Sequence, residues 1–167
     1  ATEALREAAE GGSVDAVHLL SHGSAGQLSL GRDAIDTSRL TQNADQLASW
    51  SHYLGDDADI LLYGCDIGAG ERGTTLLQQM AMLTGADLAA STNATGSAAR
   101  GGDWQLESST GSIEARSLVA AYDGLLAAPT ITDTVTTPRT TQEDVALAIT
   151  GITMADSDNP ASVSAQF

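Results

Sequence analysis

The sequence predicts an α/β domain with a mostly parallel sheet, followed by the first strands of a β-sandwich. Apolar runs of strand length, at Val14–Ser21 and Asp59–Gly64, alternate with segments whose leucines recur at helical spacing. The order strand, helix, strand, helix, strand requires parallel strands joined by right-handed crossovers. After residues 127–129 the composition changes to a stretch rich in Thr and Pro, which predicts a domain boundary.

The composition describes a globular and strongly acidic chain. It has 167 residues, of which 42% are hydrophobic, and a formal net charge of −15. Its seven basic residues are all Arg. Nucleic acids and anionic membrane surfaces need basic patches, so neither is an expected partner. The single cysteine excludes an internal disulfide and zinc sites of the CxxC type. No apolar run has the length of a membrane-spanning helix, and a Lys-free acidic surface suits a secreted protein, a calcium-rich setting or high salt.

The first third of the chain predicts a helix and two strands. Residues 2–10 form a helical pattern that stops at a pair of glycines. Val14–Ser21 is a continuous apolar run, which is typical of a strand buried on both faces of a parallel sheet. Leu28 and Leu30 alternate with polar residues and predict a short exposed strand.

The middle of the chain continues the alternation of helices and strands. The expected elements are a helix at Leu47–Leu54, a buried strand at Asp59–Gly64, a helix at Leu76–Leu83, a strand at Asp87–Ala90, a hairpin at Trp104–Ala115 and a last helix at residues 117–126.

Two of the predicted strands end in residues that can carry out chemistry. Val14–Ser21 runs into His22 and Gly23, and Asp59–Gly64 runs into Cys65. Side chains at the carboxyl ends of neighbouring parallel strands emerge at the same edge of a sheet, and histidine is the usual base that activates a thiol. Glycine beside each residue leaves room for a substrate backbone and frees N–H groups to bind an oxyanion. The sequence therefore predicts a Cys–His dyad.

The residues around both positions resemble a known clan of peptidases. A strand ending in His-Gly followed by a strand ending in Gly-Cys is similar to the caspase, gingipain and legumain clan of cysteine peptidases. Cys65 follows His22 by 43 positions, close to the roughly 50 of caspases. The segments HLLSHGSAGQLSLG, ILLYGCDIGAGERG and LTGADLAASTNATGSAARGGDWQLE more closely resemble a caspase-like domain of unknown function near the N-terminus of giant bacterial surface proteins. Such proteins carry cadherin-like or RTX-type repeats, and TTQEDVALAITGITMADSD resembles the start of a cadherin-like repeat.

The resemblance implies a caspase-like three-layer sandwich over residues 1–127, and a linker with the first strands of a cadherin-like repeat over residues 128–167. It implies a cysteine endopeptidase that needs no cofactor. In that enzyme Cys65 attacks a peptide carbonyl, His22 moves the protons, and the N–H groups of Gly23 and Cys65 bind the oxyanion. The expected substrate is a polypeptide, either the parent chain itself or a neighbouring surface protein. The expected location is the bacterial cell surface or the medium.

Two further groups of residues are candidates for binding. Ser91, Thr92 and Asn93 follow the third strand, where peptidases of this clan build part of the substrate pocket, and an ordinary polar loop is the equal alternative. Calcium prefers oxygen ligands, so it is expected in the repeat-like segment unless the acidic residues there are solvated surface charges. The calcium candidates are Glu143, Asp144, Asp156 and Asp158.

The alternative to an enzyme is a non-catalytic module that helps to anchor a large adhesin, in which His22 and Cys65 only pack. A lone cysteine is often a small buried hydrophobic residue. The Gly-Ser pair after His22 does not match the GxSxG pattern of serine hydrolases. Of the other histidines, we expect His18 in the core and His52 on the surface.

The resembling family has two more strands before the first helix of this chain, and both chain ends interrupt a pattern. We therefore expect a piece of a longer protein in which the Val14–Ser21 strand has one open side. Such an edge invites pairing with another chain, so self-association through it is expected.

Overall fold

The computed structural model describes residues 2–30 and 33–128, together with the backbone of residues 130–133, 152–155 and 163–164. The helices are α1 (Thr2–Ala8), α2 (Thr37–Gln42), α3 (Ala44–Ala48) and α4 (Gly70–Thr84), with 3-10 turns at Ala9–Gly11, Ser49–His52 and Ala98–Arg100. The strands are β1 (Val14–Leu20), β2 (Gly23–Ser24), β3 (Gln27–Leu30), β4 (Asp33–Ile35), β5 (Leu54–Tyr63), β6 (Asp87–Ala90), β7 (Ser108–Ser109), β8 (Thr130–Asp133), β9 (Ile152–Ala155) and β10 (Val163–Ser164).

The main sheet has four strands in the order β1-β5-β6-β7. The pairs β1–β5 and β5–β6 are parallel, and only β7 runs antiparallel to its neighbour. Leu20 of β1 pairs with Tyr63 of β5, and Leu62 pairs with Ala90 of β6, so the three parallel strands end at one edge of the sheet. The mostly parallel sheet of the sequence prediction is therefore confirmed.

One face of this sheet packs against the helices. Ile60 and Leu62 of β5 are fully buried in one cluster with Leu88 of β6 and with residues of all the longer helices. The helical members of that cluster include Leu5, Leu40, Leu76, Leu77 and Met80. Gly85 ends α4 in the left-handed conformation, with φ of 77°, which an L-residue adopts at a cost.

The opposite face of the sheet contacts Trp104 and residues 114–118, which form no helix. The side chains of Asp59 and Tyr63 lie on this face because successive strand residues alternate between faces. The N–H of Leu118 donates to the Tyr63 hydroxyl at 2.6 Å, and the Trp104 ring lies 5.9 Å from the Tyr63 ring. Helices, a mostly parallel sheet and this outer segment make an arrangement consistent with a three-layer α/β fold.

β1 differs from its prediction as a strand buried on both faces. Within the described residues β1 is an edge strand of the main sheet, and each of its residues is half-buried or exposed. His18 is exposed rather than in the core, and its ring stacks on that of Tyr63 at 5.9 Å. His52 is exposed, as expected.

The predicted hairpin and last helix are wrong. β7 pairs with β6 rather than with a neighbouring hairpin strand, and residues 117–126 contain no helical turn. The physical reason is that residues 124–128 pair their backbone with loops at the end of the sheet: Gly96 bridges Leu125 and Gly23 bridges Ala127. Those distant partners outweigh the helical spacing of Leu118, Tyr122 and Leu125.

Two small antiparallel sheets complete the description. β2, β3 and β4 form one, and β8, β9 and β10 form the other. Within the described ranges, no helix combines the length and the apolar character needed to cross a membrane.

Candidate active site

His22 and Cys65 lie at matched positions beyond two paired strands. Each follows the last residue of its strand by two positions, and those last residues, Leu20 and Tyr63, pair with one another. The two following loops touch through glycine. A Cβ on Gly64 would lie 2.5 Å from the carbonyl oxygen of Ser21, and a Cβ on Gly23 would lie 2.8 Å from that of Cys65. The sheet therefore brings the two loops into contact at the edge that the sequence indicated.

Cys65 is buried, with 2% of its surface exposed. The N–H of Thr95 donates to its Sγ at 3.2 Å, and Sγ lies 3.7 Å from the carbonyl oxygen of Thr95. Thr95 follows β6 and is itself fully buried. The loops after three adjacent parallel strands therefore supply His22, Cys65 and the backbone that orients the sulfur.

The chain turns sharply after Cys65. Asp66 has a φ of 61°, the left-handed region that residues other than glycine seldom occupy. Its N–H donates to the carbonyl oxygen of Asn93 at 2.8 Å, and its own carbonyl accepts from Ala69 at 2.8 Å. These bonds hold the turn between β5 and α4 and so fix the backbone on the C-terminal side of Cys65.

The N–H groups of Gly23 and Cys65, which the sequence assigned to an oxyanion, converge on one oxygen. Both donate to the carbonyl of Leu126, with N···O distances of 2.9 Å each. The N–H of Leu126 in turn donates to the carbonyl oxygen of Thr95 at 2.8 Å. Two N–H donors thus bind one peptide carbonyl oxygen next to the cysteine, and this carbonyl is part of the same chain.

Ser91, Thr92 and Asn93 bond mainly within the fold. Ser91 is buried, and its hydroxyl bonds to Asn93. The N–H of Thr92 and the side chain of Asn93 both donate to the Glu107 carboxylate, at 2.8 and 2.9 Å. The three residues therefore brace the loops around Cys65, and their predicted part in a substrate pocket stays a prediction.

The backbone that pairs with residues 124–128 lies a few residues after Asn93. Ser97 donates its N–H to the carbonyl of Gly124 at 2.9 Å, and Thr95 accepts from Leu126. The sequence reasoning missed Thr95, Ser97 and Leu126. The run of small residues after β6 is the one signal that could have indicated Thr95 and Ser97, whereas nothing local marks Leu126.

Two acidic side chains near this site, those of Asp103 and Glu107, accept hydrogen bonds from the Asn93 amide. Among the residues that the structure describes, no group of three or more His, Cys, Asp or Glu side chains could hold a metal ion. The calcium candidates Glu143, Asp144, Asp156 and Asp158 lie outside the described residues.

A cleft of about 780 Å³ opens next to Gly96 and Ser97 and is walled on its other side by residues 117–123.

Comparison with known proteins gives one match. No curated protein and no solved structure matches this chain. One family model, described as a domain of unknown function (DUF4347), matches residues 1–126 and so takes in both strand ends, the Thr95 loop and Leu126. The chain belongs to this family, the domain of unknown function DUF4347.

Proposed function

We propose that this chain is a caspase-like cysteine endopeptidase module with Cys65 as nucleophile and His22 as base. The observation that carries the proposal is the pair of N–H groups, from Gly23 and Cys65, that meet at one carbonyl oxygen at 2.9 Å each. Preorganised donors of this kind stabilise the negative charge that develops when a peptide carbonyl is attacked. The order of His-Gly and Gly-Cys along the chain supports the same reading.

In the first step the Cys65 thiolate adds to the carbonyl carbon of the substrate. The carbonyl oxygen becomes an oxyanion, which the N–H groups of Gly23 and Cys65 stabilise. The thiol proton passes to His22, which becomes an imidazolium. The hydrogen bond from the N–H of Thr95 to Sγ, at 3.2 Å, holds the sulfur in place.

In the second step the carbon–nitrogen bond breaks. His22 gives its proton to the leaving amine, and a thioester joins the acyl part of the substrate to Cys65. Water then attacks the thioester with His22 as base, which releases a carboxylate and restores the thiol. No cofactor takes part in either step of this proposed reaction.

The setting of the activity is also a proposal. The resemblance of residues 18–31, 60–73 and 83–107 to a domain of giant bacterial surface proteins supports a secreted or cell-surface location. The resemblance of the later residues to a cadherin-like repeat supports an adhesin with calcium in its repeats. The substrate is then a polypeptide, either the parent chain or a neighbour on the same surface.

One observation favours a non-catalytic module instead. Cys65 is only 2% exposed, and the chain's own Leu126 lies against its N–H. A buried thiol that reagents cannot reach would serve as packing. In that case the domain would organise or anchor a larger adhesin without cleaving it.

Thiol labelling separates the two functions. We expect a cysteine-directed reagent at neutral pH to label Cys65, and His22→Ala to slow labelling by about tenfold or more, because the imidazole no longer takes up the thiol proton. His52→Ala is the matched control, since His52 is exposed on the 3-10 turn Ser49–His52. Equal labelling rates in the parent and the His22 variant would favour the non-catalytic module.

A further inference from the structure

We infer that the substrate of this site is the chain's own segment Gly124–Ala128, and that Cys65 cleaves the peptide bond between Leu126 and Ala127. The inference rests on the proposed peptidase function and names its substrate. It follows from the way the segment's backbone is held between the loops that carry His22, Cys65 and Thr95.

The segment is bound as an extended peptide. Ser97 donates to the carbonyl of Gly124 at 2.9 Å, Leu126 donates to Thr95 at 2.8 Å, and Ala128 donates to the carbonyl of Gly23 at 3.2 Å. An extended peptide that adds to an edge through its main chain makes bonds of this alternating kind. The contacts run along both sides of Leu126, so the register of the segment between these loops is fixed.

That register selects one carbonyl. Only the Leu126 oxygen receives both N–H groups, those of Gly23 and Cys65, and the carbonyl carbon bonded to it is the atom that a nucleophile would attack. Thr95 links the reacting groups, because its N–H bonds to the Cys65 sulfur while its carbonyl accepts from Leu126. Holding the reacting groups in fixed positions is what makes an intramolecular reaction efficient.

The loops that hold the segment have glycine where it approaches them most closely. A Cβ on Gly96 would collide with the carbonyl oxygen of Gly124 and lie 3.0 Å from Cα of Leu125. A Cβ on Gly102 would lie 2.6 Å from a methyl group of Leu125. The backbone of these loops is thus shaped to admit the segment.

The reaction balances within the chain and one water molecule. The Cys65 sulfur bonds to the carbonyl carbon of Leu126, the bond to the Ala127 nitrogen breaks, and His22 protonates that nitrogen. Water then hydrolyses the thioester. The products are a fragment that ends in the Leu126 carboxylate and a fragment that begins with the free amine of Ala127, so everything after residue 126 is released.

Mass spectrometry of the whole chain tests the inference. We expect fragments 1–126 and 127–167, formed at a rate that does not change with protein concentration because the reaction is intramolecular. Cys65→Ser and His22→Ala should abolish the cut. Ala127→Pro should also block it, since proline changes the leaving nitrogen without disturbing the extended backbone that residue 126 needs.

The proline control is Ser112→Pro, at an exposed position of the chain before this segment. This variant should be cut as fast as the parent chain. The same samples are incubated with a mixture of unstructured peptides, and Cys65 labelling is measured in parallel. These two measurements report the proposed function independently of the chain's own cleavage.

The outcomes separate the two claims. A Cys65-dependent cut after Leu126 that Ala127→Pro prevents supports the inference. If the chain stays whole at this bond, or is cut by Cys65 elsewhere, while peptides are cleaved or labelling depends on His22, the inference is overturned and the peptidase proposal stands. A whole chain with neither peptide cleavage nor His22-dependent labelling overturns both.

Discussion

β1 and β5 read alike in the sequence but have different roles in the fold. Both are apolar runs that end in a residue of the candidate site, and they pair in parallel from Ala16–Asp59 to Leu20–Tyr63. Yet residues 58–63 of β5 are all buried, whereas no residue of β1 is fully buried and Leu20 is 44% exposed. β5 lies between two strands, and β1 lies at the edge of the sheet among the described residues.

The difference shows that an apolar run predicts a strand but does not predict which strands it pairs with or how deeply it is buried. Burial of a strand depends on what pairs with it and what covers its faces, and these partners come from distant parts of the chain. Each strand nevertheless delivers its reactive residue to the same edge, because the parallel pairing alone fixes that position. The stability of the site should therefore depend far more on β5 than on β1.

The largest expected effect tests this directly. Leu62→Ala should lower the free energy of unfolding by about 3 kcal/mol, because the fully buried side chain leaves a cavity against α4. Leu20→Ala is the matched change on β1, where 44% of the side chain is already exposed, and should cost under about 1 kcal/mol. Urea denaturation of both variants measures the difference.

Equal losses would contradict the comparison. They would mean that β1 is buried as fully as β5, and that β1 is not an edge strand of the protein in solution.

The second prediction concerns the face opposite the helices. Asp59 is 1% exposed, and one of its carboxylate oxygens accepts the N–H groups of Glu114 and Ala115 at 2.8 and 2.7 Å. Asp59→Ala should cost about 2 kcal/mol, because both donors lose their partner. Asp15→Ala, at an exposed carboxylate on β1, is the control and should change stability by under about 0.5 kcal/mol.

Faster proteolysis of residues 114–118 in the Asp59 variant would show that the loss of stability arises from the release of this segment. An unchanged denaturation midpoint would instead indicate that this segment docks without the carboxylate.

Most of the sheet could be predicted from local sequence. The runs that became β1, β5 and β6 and the leucine spacing of α4 are short-range signals, and burial reinforces them. The helix predicted at Leu47–Leu54 stops early, as the 3-10 turn Ser49–His52, and Leu54 already begins β5. Local patterns also failed after residue 103, where backbone partners distant in sequence determine the conformation.

The candidate site divides in the same way. His22, Gly23 and Cys65 follow predicted strands, so the rule that strand ends carry function was enough to find them. Leu126 could not be found, because its place depends on hydrogen bonds to residues 31 to 103 positions earlier in the chain. The helical spacing of Leu118, Tyr122 and Leu125 indicated a helix over this stretch, and no local feature opposed that interpretation.

The smallest expected effect on folding, and the sharpest test of the edge position, is Leu20→Lys. An edge strand with exposed apolar side chains can pair with a second chain, and lysine is a residue that natural edges use to prevent this. Because Leu20 is 44% exposed, the charge can reach water, and the free energy of unfolding should change by under about 0.5 kcal/mol. In sedimentation we expect the parent chain to associate with rising concentration and the variant to remain a monomer. A parent chain that is already monomeric and unfolds cooperatively would show that β1 does not offer a pairing edge, and the contrast with β5 would then be one of burial alone.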